Sequence, residues 1–430
     1  MTHHTRRLED LIMSLLQLQA AFGLVAFVMI AYLLSEQRSV KLLRIGAVGV
    51  VAQLAIAGLL LGLPFIKDGV GHLGDGVLAI QDATRVGTSF VFGYLGGGPV
   101  PFEVNDPNGL MILAFQALPI VLVVSAITTL LTHLGIMARI VAGFSFLLRR
   151  VFGLGGAVGL AAAANIFMGM MEAPLFVRHY ISKMTRSELF VVMTTGMATI
   201  AGTVLAIYAS MLEGVIAGAA GHLIIASVMS APAAICLALM MVPSQGEEST
   251  SGDFHPTPQT SSIMDAIAQG TQAGLQLFLG IMSMLIVLVA LVALMNMALM
   301  ALPFFDQPLT LEQILGWVMT PLCWLMGIPW SEAVVAGELM GIKTILNEFL
   351  AYSDLSNKGA EDISERTRLI MTYALCGFAN FGSLGILLGG LIALAPDRRH
   401  DLMSLGPKSL ISGTMATMMT GAVISVITPA

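Results

Sequence analysis

Long apolar stretches dominate the chain and constrain its fold more than any other feature. They lie near residues 11–34, 42–65, 109–136, 189–212, 221–242, 270–302, 369–395 and 408–428. Each approaches the ~20 residues that an α-helix needs to cross the ~30 Å hydrocarbon core of a bilayer. Only 11% of the residues are charged, against about 25% in soluble domains. The sequence therefore predicts an all-α polytopic protein with about eight transmembrane helices in a lipid bilayer.

The remaining composition excludes several classes of function. A net charge of -6 on 430 residues argues against a nucleic-acid partner. Cys236, Cys323 and Cys376 stand singly in apolar stretches, without the spacing of a metal site or a disulfide. The sequence contains no His-Glu-x-x-His and no Gly-x-Ser-x-Gly motif. We therefore predict neither an enzyme nor a resident cofactor.

Basic residues predict the orientation of the spans, because cytoplasmic loops are enriched in lysine and arginine. Arg38, Lys41 and Arg44 follow the first span, which places that loop in the cytoplasm and the N-terminus outside. Residues 67–108 contain few basic side chains and are expected outside. The alternation of the spans places the C-terminus outside as well.

A short apolar segment at residues 160–176 carries a carboxylate, Glu172, and has basic residues on both sides. A single crossing would put one basic flank outside, so we interpret the segment as a re-entrant hairpin with Gly169 and Pro174 near its turn. A carboxylate and irregular backbone at this depth are tolerated only where they line a site covered by protein or water. The hairpin is therefore expected to line a binding site.

The second half of the chain repeats this pattern. Residues 331–355, with Glu348, predict a second hairpin from the other face of the membrane. Gly202 and Gly382 follow the two carboxylates, each in a small polar cluster that interrupts an apolar stretch. Paired hairpins and broken helices of opposite orientation indicate an inverted-repeat transporter with a site near the membrane midplane.

The chain divides into five predicted regions. Residues 1–150 would form scaffold helices and an interfacial helix, 151–243 the first hairpin and the helices after it, 244–262 a cytoplasmic loop, 263–330 a scaffold helix and an external amphipathic helix, and 331–430 the second hairpin and the helices after it. The two hairpin regions would be the halves of a transport domain.

Several motifs, in this order, resemble those of the concentrative nucleoside transporters. They are Ala-Asn165-Ile-Phe-x-Gly169-x-x-Glu172-Ala-Pro-Leu, Ala198-Thr-Ile-Ala-Gly202-Thr, Asn347-Glu348-Phe-x-Ala-Tyr352 and Phe378-Ala-Asn380-Phe-Gly-Ser383. The resemblance implies a homotrimer in the plasma (inner) membrane of a bacterium. It also implies an elevator-type symporter that imports nucleosides with a cation, sodium in our interpretation and a proton as the alternative.

The resemblance also assigns roles to individual positions. A sodium ion would be bound by the side chains of Asn165 and Thr199 and by the backbone carbonyls of Met168 and Ile200. Neutral oxygen ligands of this kind suit a hard cation. Substrate-binding positions would be Gly169, Met170, Met171, Glu172, Val204, Glu348, Phe378, Asn380 and Ser383. Of these, Glu348, Asn380 and Ser383 would contact ribose.

One departure from the family pattern bears on the substrate. Met170 and Met171 occupy the positions where the family commonly has Gln-Thr or Gln-Ser. A glutamine amide donates to and accepts from a nucleobase edge, whereas a thioether is at best a weak acceptor. We therefore predict a ribosyl substrate with altered or relaxed base preference. The alternative is that both methionines only fill gaps in the packing.

Other interpretations stay open from the sequence. Glu172 and Glu348 could be structural, each paired with a neighbouring basic residue such as Lys343. Asn165 and Asn380 could be helix caps. A ligand-binding or channel-like relative that recognises another riboside would share the same fold, and only accumulation against a gradient separates it from a symporter.

Overall fold

The computed structural model describes residues 3–103, 112–244, 246, 260–301 and 309–428, and its regular structure is helical throughout. In chain order the helices are α1 (His3–Leu33), α2 (Val40–Gly62), α3 (Pro64–Phe92), α4 (Leu113–Gln116), α5 (Ile120–His133), α6 (Ile136–Phe152), α7 (Gly156–Asn165), α8 (Arg178–Ile181), α9 (Arg186–Ala198), α10 (Gly202–Met211), α11 (Ala219–Met241), α12 (Ile263–Met300), α13 (Leu311–Leu325), α14 (Trp330–Ile345), α15 (Glu348–Asn357), α16 (Glu365–Leu375), α17 (Phe381–Leu394) and α18 (Arg399–Ile427).

The predicted all-α membrane fold is confirmed. Within the described residues, seven helical stretches are long and apolar enough to cross a membrane. They include all the predicted runs except the one at 369–395, which is divided between α16 and α17. Most of the predicted loop at 244–262 lies outside the described residues.

Two spans are broken where small polar clusters interrupt the apolar sequence. Helix α9 ends at Ala198 and α10 begins at Gly202, with extended backbone at Thr199 between them. The Gly202 amide donates to the Phe167 carbonyl at 2.9 Å, so the break packs on the turn after α7. A Cβ at Gly202 would lie 3.2 Å from that carbonyl oxygen, which explains the need for glycine. The second break, between α16 and α17, covers residues 376–380.

The chain reverses direction within each of the two segments predicted as hairpins. Helix α7 has 10 residues, about 15 Å at 1.5 Å per residue, which is half of a bilayer core. The chain then turns and packs a 3-10 segment, Ala173–Val177, against α7. Helices α14 and α15 pack against each other in the same way. These reversals position Glu172 and Glu348 at the turns.

Helix α3 covers part of residues 67–108, which the sequence predicts outside the membrane but does not mark as helical. An interfacial helix was predicted within residues 1–150 without a position, and the glycines and aspartates of this stretch lower helix propensity. Packing overrides that propensity, since Gly74 and Val70 fit against Ala220 and Gly221 at the start of α11. Pro64 at the first helical position and Gly93, with φ of 60°, define the two ends.

The long helix α12 has 38 residues and packs chiefly along α5. The contact is close because Gly270 and Gly274 face α5, where an added Cβ would lie 2.7 Å from the Ala126 Cα and 2.8 Å from the Leu122 Cα. Much of the rest of α12 presents exposed apolar side chains, as expected of a surface that faces lipid or another subunit.

A polar cluster ties the α1–α2 loop to two other helices. Glu36 Oε1 contacts Arg186 Nη2 of α9 at 3.0 Å and Lys408 Nζ of α18 at 2.6 Å. Partial burial by itself would raise the pKa of Glu36, but hydrogen bonds from Arg186 and Lys408 outweigh that effect and hold the pKa below its ordinary range. The carboxylate therefore stabilises the fold above about pH 4.3, and this contribution is lost as the pH falls through the lowered pKa.

We expect Glu36→Gln to reduce stability at neutral pH by less than about 1 kcal/mol, because the ion pairs of the cluster are partly exposed to solvent. The variant should also lose part of the acid sensitivity of the wild type. Thermal unfolding in detergent at pH 7 and pH 4 measures both effects. Glu213→Gln, at an exposed position after α10, is the matched control. An equal fall in stability between the two pH values for Glu36→Gln and wild type would contradict the assignment.

Candidate functional site

A cavity of about 410 Å³ lies where the hairpin turns, both broken helices and α12 meet. Its volume falls within the ~300–1,000 Å³ typical of small-molecule sites. The structure brings together at this cavity all the positions predicted to bind substrate, namely Gly169, Met170, Met171, Glu172, Val204, Glu348, Phe378, Asn380 and Ser383. These residues come from four separate segments of the chain, so the fold assembles a site that no single motif contains.

Two hydrogen bonds fix the carboxylate of Glu348 at the cavity. Its Oε1 accepts a hydrogen bond from the Tyr208 hydroxyl at 2.6 Å, and its Oε2 accepts one from Asn380 Nδ2 at 2.8 Å. The residue is 5% exposed, yet it lines the cavity. A carboxylate oxygen accepts more than one hydrogen bond, so the fixed carboxylate can also accept from hydroxyl groups of a ligand.

Local capping explains why these groups are fixed. Asn347 is the N-cap of α15, and its side chain accepts from the Leu350 amide at 2.9 Å. This cap places Glu348 in the first turn, where the helix dipole stabilises a negative charge. Asn380 caps α17 by accepting from the Ser383 amide at 2.7 Å. The capping role considered for Asn380 is therefore confirmed, and its amide nitrogen remains free to hold Glu348.

The turn of the first hairpin presents Glu172 and the two methionines. Glu172 Oε2 accepts from the Gly169 amide at 3.1 Å, which folds the carboxylate back over its own turn. Met170 is buried, and its Cβ lies 3.1 Å from the position that a Cβ on Gly196 would occupy. The tip of Met171 packs over Gly390 of α17. Both methionines fill space between helices, and both also line the cavity.

A cluster of buried polar groups lies around Thr195 of α9. Asn165 Nδ2 donates to Thr195 Oγ1 at 3.0 Å, and Thr199 Oγ1 donates to the Thr195 carbonyl at 2.8 Å. Asn165 is fully buried, and its Oδ1 has no hydrogen-bond partner. An unpaired buried amide oxygen costs about 1–3 kcal/mol, so this atom fits a bound cation. Asn165 ends α7 and is not an N-cap.

The groups predicted to bind a cation together with Asn165 are all neutral: the Thr199 hydroxyl and the backbone carbonyls of Met168 and Ile200. The backbone of Met168 lies in the hairpin turn, and that of Ile200 lies in the break between α9 and α10. No group of three or more His, Cys, Asp or Glu side chains able to hold a metal ion occurs among the described residues. Neutral carbonyl and hydroxyl oxygens suit Na⁺ better than a transition metal.

The interpretation of Lys343 as the partner of Glu348 is wrong. Lys343 Nζ donates to the Ala374 carbonyl at 2.8 Å and to Thr417 Oγ1 at 2.9 Å. Leu346 separates α14 from α15, so Lys343 and Glu348 lie on different helices and helical spacing does not relate them. The ammonium instead sits at the carboxyl end of α16, where unpaired carbonyls and the helix dipole attract a cation.

Tyr208 and Gln276 are among the lining residues that the sequence did not predict. Tyr208 stacks on Tyr352 with ring centroids 4.8 Å apart and donates to Glu348. A tyrosine in an otherwise apolar buried helix was the available signal, because a buried phenol needs a hydrogen-bond partner. Gln276 of α12 also lines the cavity. Its signal was a polar amide inside the long apolar run that begins at residue 270.

Broken helices around a largely apolar cavity that holds a few fixed polar groups are typical of a secondary membrane transporter. Comparison with known proteins specifies the class. The chain matches the family descriptions "Na+ dependent nucleoside transporter N-terminus" over residues 22–95, "Nucleoside recognition" over 114–214 and "Na+ dependent nucleoside transporter C-terminus" over 222–425. The chain belongs to this family of sodium-dependent nucleoside transporters, so the family resemblance is confirmed and the protein is a transporter, not an enzyme.

Individual relatives match over nearly the whole chain. An "Uncharacterized transporter" of Haemophilus influenzae is 38% identical, covering 94% of this chain and 96% of its own. The "Nucleoside permease NupC" of Helicobacter pylori is 34% identical, covering 93% and 95%. The structure is similar to that of "CNTnw in an inward-facing substrate-bound state", with a TM-score of 0.85, 35% identity and coverage of 95% of this chain and 98% of that chain.

Proposed function

We propose that this protein imports nucleosides by sodium symport. The main support for the proposal is that a cavity suited to a substrate and a site suited to a cation share the first hairpin. Glu348, Asn380 and Ser383 present oxygens and an amide to the cavity, and such groups bind the hydroxyls of a ribose. The unpaired Asn165 Oδ1 lies on the same first hairpin whose turn lines that cavity. Binding of a cation there would order the turn and so favour substrate binding.

The apolar part of the cavity suits a nucleobase. Val204 and Phe378 line it beside the ribose-binding groups. An aromatic face and an aliphatic wall bind a flat heterocycle without selecting among its polar edges. The combination of a hydroxyl-binding end and an apolar wall is therefore suited to a riboside.

An elevator-type movement fits the arrangement of the helices. The cavity lies between α12 on one side and the hairpins and broken helices on the other. Helix α12 is held chiefly by α5. We propose that α5 and α12 belong to a fixed scaffold and that the hairpins and broken helices move past them with the substrate. The exposed apolar face of α12 supplies a surface for a homotrimer.

The charge distribution supports the membrane orientation proposed from the sequence. Arg38 lies between α1 and α2 and Lys41 lies in the first turn of α2, at the end where α9 and α18 begin with Arg186 and Arg399. Excess basic charge marks the cytoplasmic side. We propose a bacterial inner-membrane protein with both termini outside.

Sodium and proton coupling make different demands on the site. The neutral donor set around Asn165 favours sodium. Glu172 and Glu348, which both line the cavity, are the groups that a proton-coupled transporter would use. We propose sodium as the coupling ion, and the comparison of the two ions below separates the alternatives.

Calorimetric titration of uridine and adenosine into purified protein tests the proposal. We expect saturable binding in sodium buffer that weakens by about tenfold or more when choline replaces sodium at constant pH. Binding that is equally tight in both buffers would contradict sodium coupling. Binding that follows pH instead of sodium would favour the proton-coupled alternative. Absence of nucleoside binding in either buffer would leave another riboside as the ligand.

The methionine pair gives a separate prediction about base choice. We expect Met170→Gln with Met171→Thr to tighten uridine binding by about tenfold, because each restored hydrogen bond contributes about 0.5–1.5 kcal/mol. Competition binding with a panel of nucleosides measures the change. Met184→Gln, at a buried position before α9, is the control for the substitution itself. Unchanged affinities across the panel would show that these positions only pack.

A further inference from the structure

We propose that Gln276 of α12 reads the polar edge of the nucleobase. This inference rests on the proposed nucleoside transport and assigns the base contact to an element outside the hairpins. It explains how the chain can recognise a base although Met170 and Met171 offer no amide or hydroxyl at the hairpin turn.

The face of α12 toward the cavity is a regular helical stripe. Gln276, Gly280, Met284 and Leu288 recur every four residues and all line the cavity. The other lining residues of this helix are Leu277, Ile281 and Leu285. Within the described part of the chain, Gln276 is therefore the polar side chain that α12 contributes to the cavity. Unlike its apolar neighbours on this stripe, Gln276 can donate and accept hydrogen bonds at the cavity.

The hydrogen bonds of the cavity leave Gln276 available. Glu348 is held by Tyr208 and Asn380, and Asn347 is occupied by the Leu350 amide. Gln276 is exposed and makes no hydrogen bond to any residue that the structure describes. Its amide is thus free to meet a ligand.

The chemistry of a primary amide fits a base edge. The group presents one acceptor oxygen and two donor hydrogens. It can form two parallel hydrogen bonds with an edge that carries a donor beside an acceptor, as in uracil, cytosine and adenine. Rotation of the amide by 180° exchanges donor and acceptor, so one glutamine can serve both pyrimidines and adenine. Recognition by Gln276 therefore requires a base with a polar edge but discriminates only weakly among bases that have one.

The test compares ligands that differ only in the base edge. Competition binding in sodium buffer gives the ratio of affinities for uridine and for a phenyl riboside, which keeps the ribose but has no polar base edge. In wild type we expect uridine to bind more tightly. In Gln276→Leu this preference should fall by about tenfold, while the affinity for the phenyl riboside changes less than twofold.

Gln272→Leu is the matched control, because Gln272 is an exposed glutamine on the same helix and does not line the cavity. It should keep the wild-type ratio. Gln276→Met provides a second substitution in case Gln276→Leu fails to fold, and binding of the phenyl riboside reports a folded site in each variant. A ratio within twofold of wild type in a folded Gln276 variant overturns the inference and leaves the proposed transport intact. If wild type binds neither riboside, the proposed function fails, and the inference fails with it.

Discussion

Replacing Glu348 by glutamine is expected to weaken nucleoside binding by about hundredfold or more. Hydrogen bonds to a charged group contribute about 1.5–3 kcal/mol each, and a ribose can form two of them with this carboxylate. The substitution also affects the free site, because Asn380 Nδ2 and the Tyr208 hydroxyl both donate to Glu348. A glutamine offers one oxygen to these two donors, so one of them loses its partner or the Gln amide turns away from the cavity.

Calorimetric binding of uridine measures this loss, and thermal unfolding shows whether the variant is folded. Asp354→Asn is the matched control: it removes a carboxylate from the same helix, where Asp354 pairs with Lys358 at 3.3 Å at the surface. We expect the control to bind as wild type does. A folded Glu348→Gln variant with wild-type affinity would show that the carboxylate only stabilises the fold.

The second large effect is expected at the candidate cation site. Asn165→Leu should abolish the sodium dependence of nucleoside binding, because it removes the unpaired buried oxygen. Thr199→Val preserves side-chain shape and should raise the sodium concentration for half-maximal binding by about tenfold, since one ligand oxygen is lost. Nucleoside affinity at saturating sodium should change little in Thr199→Val.

Titration of sodium at fixed uridine measures both variants. Thr344→Val is the control for Thr199→Val, because Thr344 Oγ1 also donates to the carbonyl four residues earlier, at 2.8 Å, but lies on α14. Wild-type sodium dependence in both Asn165→Leu and Thr199→Val would place the coupling ion elsewhere.

The fold was largely predictable because its strongest signals are local. Long apolar runs predicted the spans, and small polar clusters predicted the breaks at Thr199 and near Asn380. Charge placement predicted the two hairpins, and an α7 of 10 residues, too short to cross a membrane alone, is consistent with the first of them. The position of helix α3 was not predicted, because its glycines argue against a helix and its packing on neighbours such as α11 is not visible in the sequence.

The candidate site was predictable only in part, for the same physical reason. Family motifs predicted that Glu348, Asn380 and Met170 lie together, and in the structure they line one cavity. The bond between Tyr208 and Glu348 joins residues 140 positions apart. No local spacing reports such a contact, and the misplaced pairing of Lys343 with Glu348 shows how local spacing can mislead across a helix break.

Uptake into proteoliposomes tests the central claim most directly. Purified protein in vesicles is given radiolabelled uridine with an inward sodium gradient, with no gradient, and with an inward proton gradient in sodium-free buffer. We predict accumulation above the external concentration only with the sodium gradient, and loss of that accumulation when a sodium ionophore is added. Equilibration without accumulation, or accumulation driven by protons in the absence of sodium, would contradict sodium-coupled nucleoside import.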